Sequence, residues 1–176
     1  MLNHGKYSDL TSEQYEYLGR AFIEWSNLEF LLGLLLSRLL FTPEFLGRTY
    51  SDEMSAVKLE IAVKNALDIH RTRYNHLIIS KELDLEIVEL MVDVANLRVM
   101  RNKFAHLLWV RKNDKTMIGF KMSGKQPTKT KPKNSVSLSV DDLIDNYKKS
   151  HDLVEKIGDI IVAIPEVKEE QYLRSK

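Results

Sequence analysis

The sequence predicts an all-α bundle with a small β insertion, and three features point there. Apolar residues recur at three- and four-residue steps through residues 12–40, 81–106 and 141–163, the spacing of a helix face. Between residues 107 and 140 that rhythm gives way to short alternating runs bounded by turn-forming residues. The prolines, which cannot donate within a helix, fall at the junctions: Pro43, Pro127, Pro132 and Pro165.

A chain of 176 residues, 44% hydrophobic and 29% charged, has the balance of an ordinary soluble protein with one sizeable core. One domain over residues 1–176 is therefore expected, with its core at about 13–163, a basic loop at 121–133 and a charged tail at 166–176. Twenty-six Lys and Arg against twenty-five Asp and Glu leave a net charge of +1, so bulk charge selects no class of partner. With no cysteine the chain has no disulfide, thiolate metal site or thiol nucleophile, which fits a reducing compartment. Residues 1–9 lack the basic start and apolar run of a signal peptide, and a cytoplasmic location is expected. The most apolar run, residues 30–41, is shorter than the about 20 residues of a membrane span and is interrupted by Arg38. It reads as a helix buried in a bundle or shared with a subunit contact, with no membrane partner.

The elements follow in order. Thr11 or Ser12 can cap a first helix, with Glu13 and Glu16 suiting the dipole of its first turn, and the helix runs to about Leu40. Tyr15, Leu18, Phe22, Trp25, Leu32 and Leu39 form one face of it, and Glu29 lies inside that stripe, where a carboxylate needs an edge position or a cationic partner. Pro43 ends this helix. Another starts near Ser51 to Ser55 and continues to about His70, with Val57, Ile61 and Leu67 expected inside, and residues 71–75 form a polar connection.

The helix from about Lys81 has two apolar stripes. Leu83, Ile87, Leu90, Val94, Leu97, Phe104 and Leu108 follow alternating steps of four and three, and the position that keeps the rhythm between Leu97 and Phe104 is Arg101. Val88, Val92, Ala95 and Val99 form the second stripe, whose continuation reaches Asn102 and His106. Two stripes well over a right angle apart imply two packing partners, one the domain's own core and the other a candidate second subunit. After His106, residues 107–112 and 116–122 read as a hairpin turning at Asn113-Asp114, and residues 134–140 as a third strand. Between Asp114 and Asp141 there is no acid, while Lys115, Lys121, Lys125, Lys129, Lys131 and Lys133 supply six positive charges. Ser139 or Asp141 caps a last helix to about Ala163.

Arg101-Asn102-Lys103-Phe104-Ala105-His106 concentrates a permanent cation, an amide and an imidazole. A guanidinium can fork onto a phosphate and a histidine can move protons near neutral pH, the parts phosphodiester chemistry needs. The bland alternatives are a buried Arg101–Glu29 salt bridge, and an amide and an imidazole that satisfy the end of the helix. His4, His70, His76 and His151 show no metal-ligand spacing and read as structural or surface residues, and the signatures of P-loop, dinucleotide and serine-hydrolase sites are missing.

The string resembles the R-N-x-x-x-H signature of the HEPN superfamily. Its setting agrees: the signature lies late on a long helix, after an apolar helix containing residues 22–29 and before an aromatic, Trp109. The resemblance covers about residues 13–163 and implies a four- to five-helix bundle that dimerises through the motif helix. It further implies a metal-independent endoribonuclease with no cofactor, in a toxin or defence setting, with an antitoxin or regulatory protein as a further partner. Carried over, Arg101 binds the scissile phosphate, Asn102 orients the phosphate or the histidine, and His106 is acid or base. Lys121, Lys125, Lys129, Lys131 and Lys133 are candidate RNA-binding residues, as a phosphate-contacting arm whose binding weakens with salt. The alternatives are a non-catalytic HEPN-like dimer that binds RNA, nucleotide or a partner protein, and a purely structural dimer.

Overall fold

The computed structural model describes residues 8–121, 135–168 and 170. Among them it is mostly helical: α1 (Ser12–Leu39), α2 (Glu44–Ser51), α3 (Ala56–Thr72), α4 (Lys81–His106) and α5 (Val140–Ala163), with β1 (Leu108–Asn113), β2 (Thr116–Phe120) and β3 (Ser135–Ser139) between the last two helices. The expected helix-rich chain with a small β insertion is what forms. No helix among the described residues is long and apolar enough to cross a membrane. The chain divides into two compact units, Met1–Trp25 with Val99–Ser150 and Ser26–Arg98 with His151–Lys176, so α1, α4 and α5 each contribute residues to both.

The first unit contains the antiparallel sheet, in the order β1-β2-β3. Trp109 faces Gly119 and Gly119 faces Val136, while Met117 faces Leu138, and this side of the sheet is buried. Trp109, Met117 and Leu138 join Leu10, Ala21, Phe104 and Leu143 in one apolar cluster, against which Tyr17, Leu18, Phe22, Met100, Leu107 and Val136 pack. A Cβ on Gly119 would come within 2.8 Å of both Leu107 Cδ1 and Trp109 Cζ3, so this close approach admits only glycine without a shift.

Reciprocal caps fix two helix starts here. Thr11 Oγ1 accepts from the Gln14 amide at 3.2 Å while Gln14 Oε1 accepts from the Thr11 amide at 3.0 Å. The buried Gln14 also donates through Nε2 to the Asn113 carbonyl at 3.1 Å, tying the start of α1 to the hairpin turn. Ser139 Oγ accepts from the Asp142 amide at 3.0 Å, and Asp142 Oδ2 accepts from the Ser139 amide at 2.7 Å, closing the same box on α5. The guanidinium of Arg20 lies against two adjacent rings, 5.9 Å from the Tyr17 centroid and 5.6 Å from that of Tyr147.

In the second unit the buried face of α1 is Leu28, Leu32, Leu35, Leu36 and Leu39, and that of α4 is Ile87, Leu90, Met91, Val94 and Leu97. Of the α4 stripe read from the sequence, Ile87, Leu90, Val94, Leu97 and Phe104 are buried and Leu83 is half-buried, whereas Leu108 falls on β1 and is exposed. The α3 face is rotated from expectation: Val57 and Ile61 are exposed, while Leu59, Val63, Ala66, Leu67 and His70 are buried. Helix α2 was not expected, because its apolar residues Phe45 and Leu46 point to solvent and give no inward periodicity. Helix α1 stops at Leu39, four residues before Pro43, which occupies the N-cap of α2, where a missing N–H costs nothing. The chain turns between the two helices with Phe41 in a left-handed conformation (φ 50°), Phe41 N donating to Arg38 O at 3.1 Å and Thr42 N to Ser37 O at 3.1 Å. A Cβ on Gly47 would collide with Ser37 Oγ and Cβ, so α2 can lie this close to α1 only with glycine there.

Two buried carboxylates are paired. Asp84 accepts from Arg71 Nε at 2.6 Å and Nη2 at 2.7 Å, and Glu60 accepts from Arg98 Nε at 2.7 Å. The Asp84 carboxylate holds the Arg71 guanidinium above its ordinary value.

Candidate functional site

Helix α4 remains helical to His106, and the amide of Leu107 still donates to the Lys103 carbonyl at 3.1 Å. The chain then turns directly into β1. Phe104 anchors this end: it is buried, its ring lies 6.4 Å from that of Phe22 and 6.0 Å from that of Trp109. Trp109 Nε1 donates to the Phe104 carbonyl at 3.2 Å, satisfying one of the carbonyls the helix end leaves open. The aromatic residue behind the motif therefore holds the last turn of α4, the turn that carries His106.

Within that frame Arg101 and Asn102 are half-buried and His106 is exposed. Arg101 Nη1 donates to Asn102 Oδ1 at 3.5 Å, a long contact, and Arg101 Nε is buried with no hydrogen-bond partner among the described residues. Arg101 forms no ion pair among the described residues. Glu29, the partner expected for it, lies half-buried on α1 in the unit of Ser26–Arg98. Lys103 directs its Nζ to Met100 Sδ at 3.8 Å. Because α4 does not unwind before His106, the roughly 140° between Arg101 and His106 on a regular helix is kept. Arg101 and Asn102 are brought together; His106 stands apart on the helix's solvent side.

Of the lysines, Lys121 is exposed directly after β2, and Lys125, Lys129, Lys131 and Lys133 lie outside the described residues. Among the described residues no three His, Cys, Asp or Glu side chains converge as a metal site would need. The outward face of the sheet, where Leu108 is opposite Phe120 and Val110 opposite Ile118, is a surface the helix-borne motif does not point to. The signal for it lay in Leu108-Trp109-Val110 and Met117-Ile118-Gly119-Phe120, where apolar residues or glycine at successive positions leave apolar side chains on both faces.

Compared with protein-family models, curated proteins and solved structures, the chain matches none of them.

Proposed function

We propose that this chain is a HEPN-like endoribonuclease that cleaves RNA without a metal, acting as a homodimer through α4. The observation that carries the reading is the state of Arg101: a half-buried cation whose Nε, among the described residues, has no acceptor and whose one polar contact among them is the long one to Asn102. A buried donor left unsatisfied costs about 1–3 kcal/mol, and a phosphate oxygen would recover it. In the proposed reaction the RNA 2′-oxygen attacks the adjacent phosphorus, the bond from phosphorus to the 5′-oxygen breaks, and a 2′,3′-cyclic phosphate and a 5′-hydroxyl result. Arg101 neutralises the charge that builds on the phosphorane, Asn102 orients it, and His106 takes the 2′-proton or returns one to the 5′-oxygen.

One chain supplies one motif histidine, whereas the reaction uses both an acid and a base. A second copy on the outward stripe of α4, where Val92 and Val99 are exposed, supplies the other histidine. The setting proposed is a toxin or defence system in the cytoplasm, with an antitoxin or regulatory protein restraining the activity.

A second reading, a non-catalytic HEPN-like dimer that binds RNA, nucleotide or protein, is favoured by the wide angle between Arg101 and His106. Incubation of purified protein with mixed-sequence RNA in EDTA separates the two. Cyclic-phosphate ends that disappear in both Arg101→Ala and His106→Ala support the nuclease; RNA left intact by the wild type supports the binder, and cleavage lost only on chelation defeats both.

A further inference from the structure

We propose that the outward face of the three-stranded sheet is a stacking platform for the unpaired bases of single-stranded RNA, with Phe120 as its principal ring. The inference rests on the RNA-directed reading above and extends it to substrate form. The register defines the platform: Leu108, Phe120 and Ser135 form one row across the strands, and Val110, Ile118 and Ser137 the next. The opposite side, with Trp109, Met117, Gly119 and Leu138, is the buried one, so these two rows turn away from the core. An antiparallel sheet with one solvated face normally carries polar side chains there. Here four apolar ones stand in the two rows nearest the end of α4, and Leu108 and Phe120 are each 40% exposed.

The chemistry favours a nucleic acid as occupant. Neither row contains a carboxylate, β3 contributes only hydroxyls to them, and the exposed Lys121 follows Phe120 directly. Four partly covered side chains are a small patch beside the about 800 Å² per partner that a stable protein interface takes. An exposed ring flanked by lysine can instead hold a base by its face, and bases offer that face only when unpaired. Position adds the last argument: Leu108, opposite Phe120, is two residues beyond His106, so a strand stacked here continues toward the motif.

The test is fluorescence anisotropy with a labelled, mixed-sequence RNA oligonucleotide, single-stranded or annealed, on full-length His106→Ala protein so that RNA survives. Single strands are expected to bind in preference to duplex. Adding Phe120→Ala is expected to weaken binding about tenfold, whereas Phe120→Trp retains it with the same melting temperature. Binding that changes less than about twofold in Phe120→Ala, equal binding of duplex, no RNA binding at all, or a loss of self-association in Phe120→Ala by sedimentation would each overturn the platform. Cleavage by the otherwise wild-type chain keeps the two ideas separate. If Phe120→Ala cleaves with unchanged KM, the platform fails and the nuclease stands; if RNA is bound through Phe120 but never cleaved, the nuclease fails and the platform stands.

Discussion

Arg101 and Asn102, neighbours on α4, meet through Nη1 and Oδ1 at 3.5 Å, and among the described residues this is the only polar contact of a guanidinium whose Nε is buried without an acceptor. Such a contact is near the outer limit of a hydrogen bond. Among the described residues, packing therefore holds this cation in place more than polar contacts do.

A functional cation and a structural one respond differently to replacement. Methionine keeps the length of Arg101 and removes the orphan donor, so Arg101→Met should raise stability by about 1 kcal/mol, or roughly 2–4 °C in Tm. RNA cleavage in EDTA should be lost in the same variant. Arg101→Lys should retain the charge but not the bidentate fork, and cleave more slowly than wild type. A fall in Tm on Arg101→Met would mean that the arginine supports the fold.

The outward stripe of α4 gives a test of assembly. Val92 and Val99 are 55% and 52% exposed, a poor place for branched apolar residues unless something covers them. Val92→Glu should leave the melting temperature within about 1 °C, as surface changes usually do, and shift sedimentation from dimer to monomer. Cleavage by that monomer at the wild-type rate would show that one histidine suffices.

Much of this was legible in the sequence because helical periodicity reports burial directly. The stripe from Ile87 to Phe104 and the strands on either side of Asn113 followed from spacing alone, and Arg101 is partly enclosed as its place among Leu97 and Phe104 required. What escaped were features that depend on contacts distant in sequence. Helix α2 turns its large residues outward, so no inward pattern marks it. The α3 face is set by what covers it: Glu60 is drawn inward by Arg98 and His70 by the Leu39 carbonyl, which accepts from its Nε2 at 2.9 Å. Ile61 and Val57 are thereby left outside, against the preference of their side chains. At the motif, the sequence could place three residue types on one helix, but not show that Trp109 clamps the Phe104 carbonyl.

The Glu60–Arg98 pair predicts an asymmetry. The Glu60 side chain is 7% exposed and that of Arg98 26%, so removing the arginine strands a carboxylate in the interior. Arg98→Met should cost about 2–3 kcal/mol, less than for a fully enclosed pair because water still reaches the arginine. Adding Glu60→Met to that variant should recover most of the loss, since two well-packed apolar side chains of similar length replace an ion pair at little cost. Urea unfolding of the three variants measures this, and a double variant no more stable than Arg98→Met would contradict it.

The cap on α5 makes part of the stability pH-dependent. Asp142 accepts from the Ser139 amide and hydroxyl, both at 2.7 Å, and these bonds hold its carboxyl below the ordinary carboxylate value. A group whose folded pKa is depressed contributes stability that is fully present above its unfolded pKa, about 3.9 for an aspartate, and is lost as pH falls through the folded one. Asp142→Asn keeps an acceptor oxygen but no titrating charge. It should therefore melt below wild type at pH 7, with the gap narrowing as pH falls under about 4 and closing once the wild-type carboxyl is protonated. Asp142→Ala removes the acceptor altogether and should cost about 1 kcal/mol at neutral pH. Thermal melts of the three proteins from pH 7 to pH 3 decide the matter: a constant difference between wild type and Asp142→Asn across that range would show that the charge of Asp142 contributes nothing to the cap.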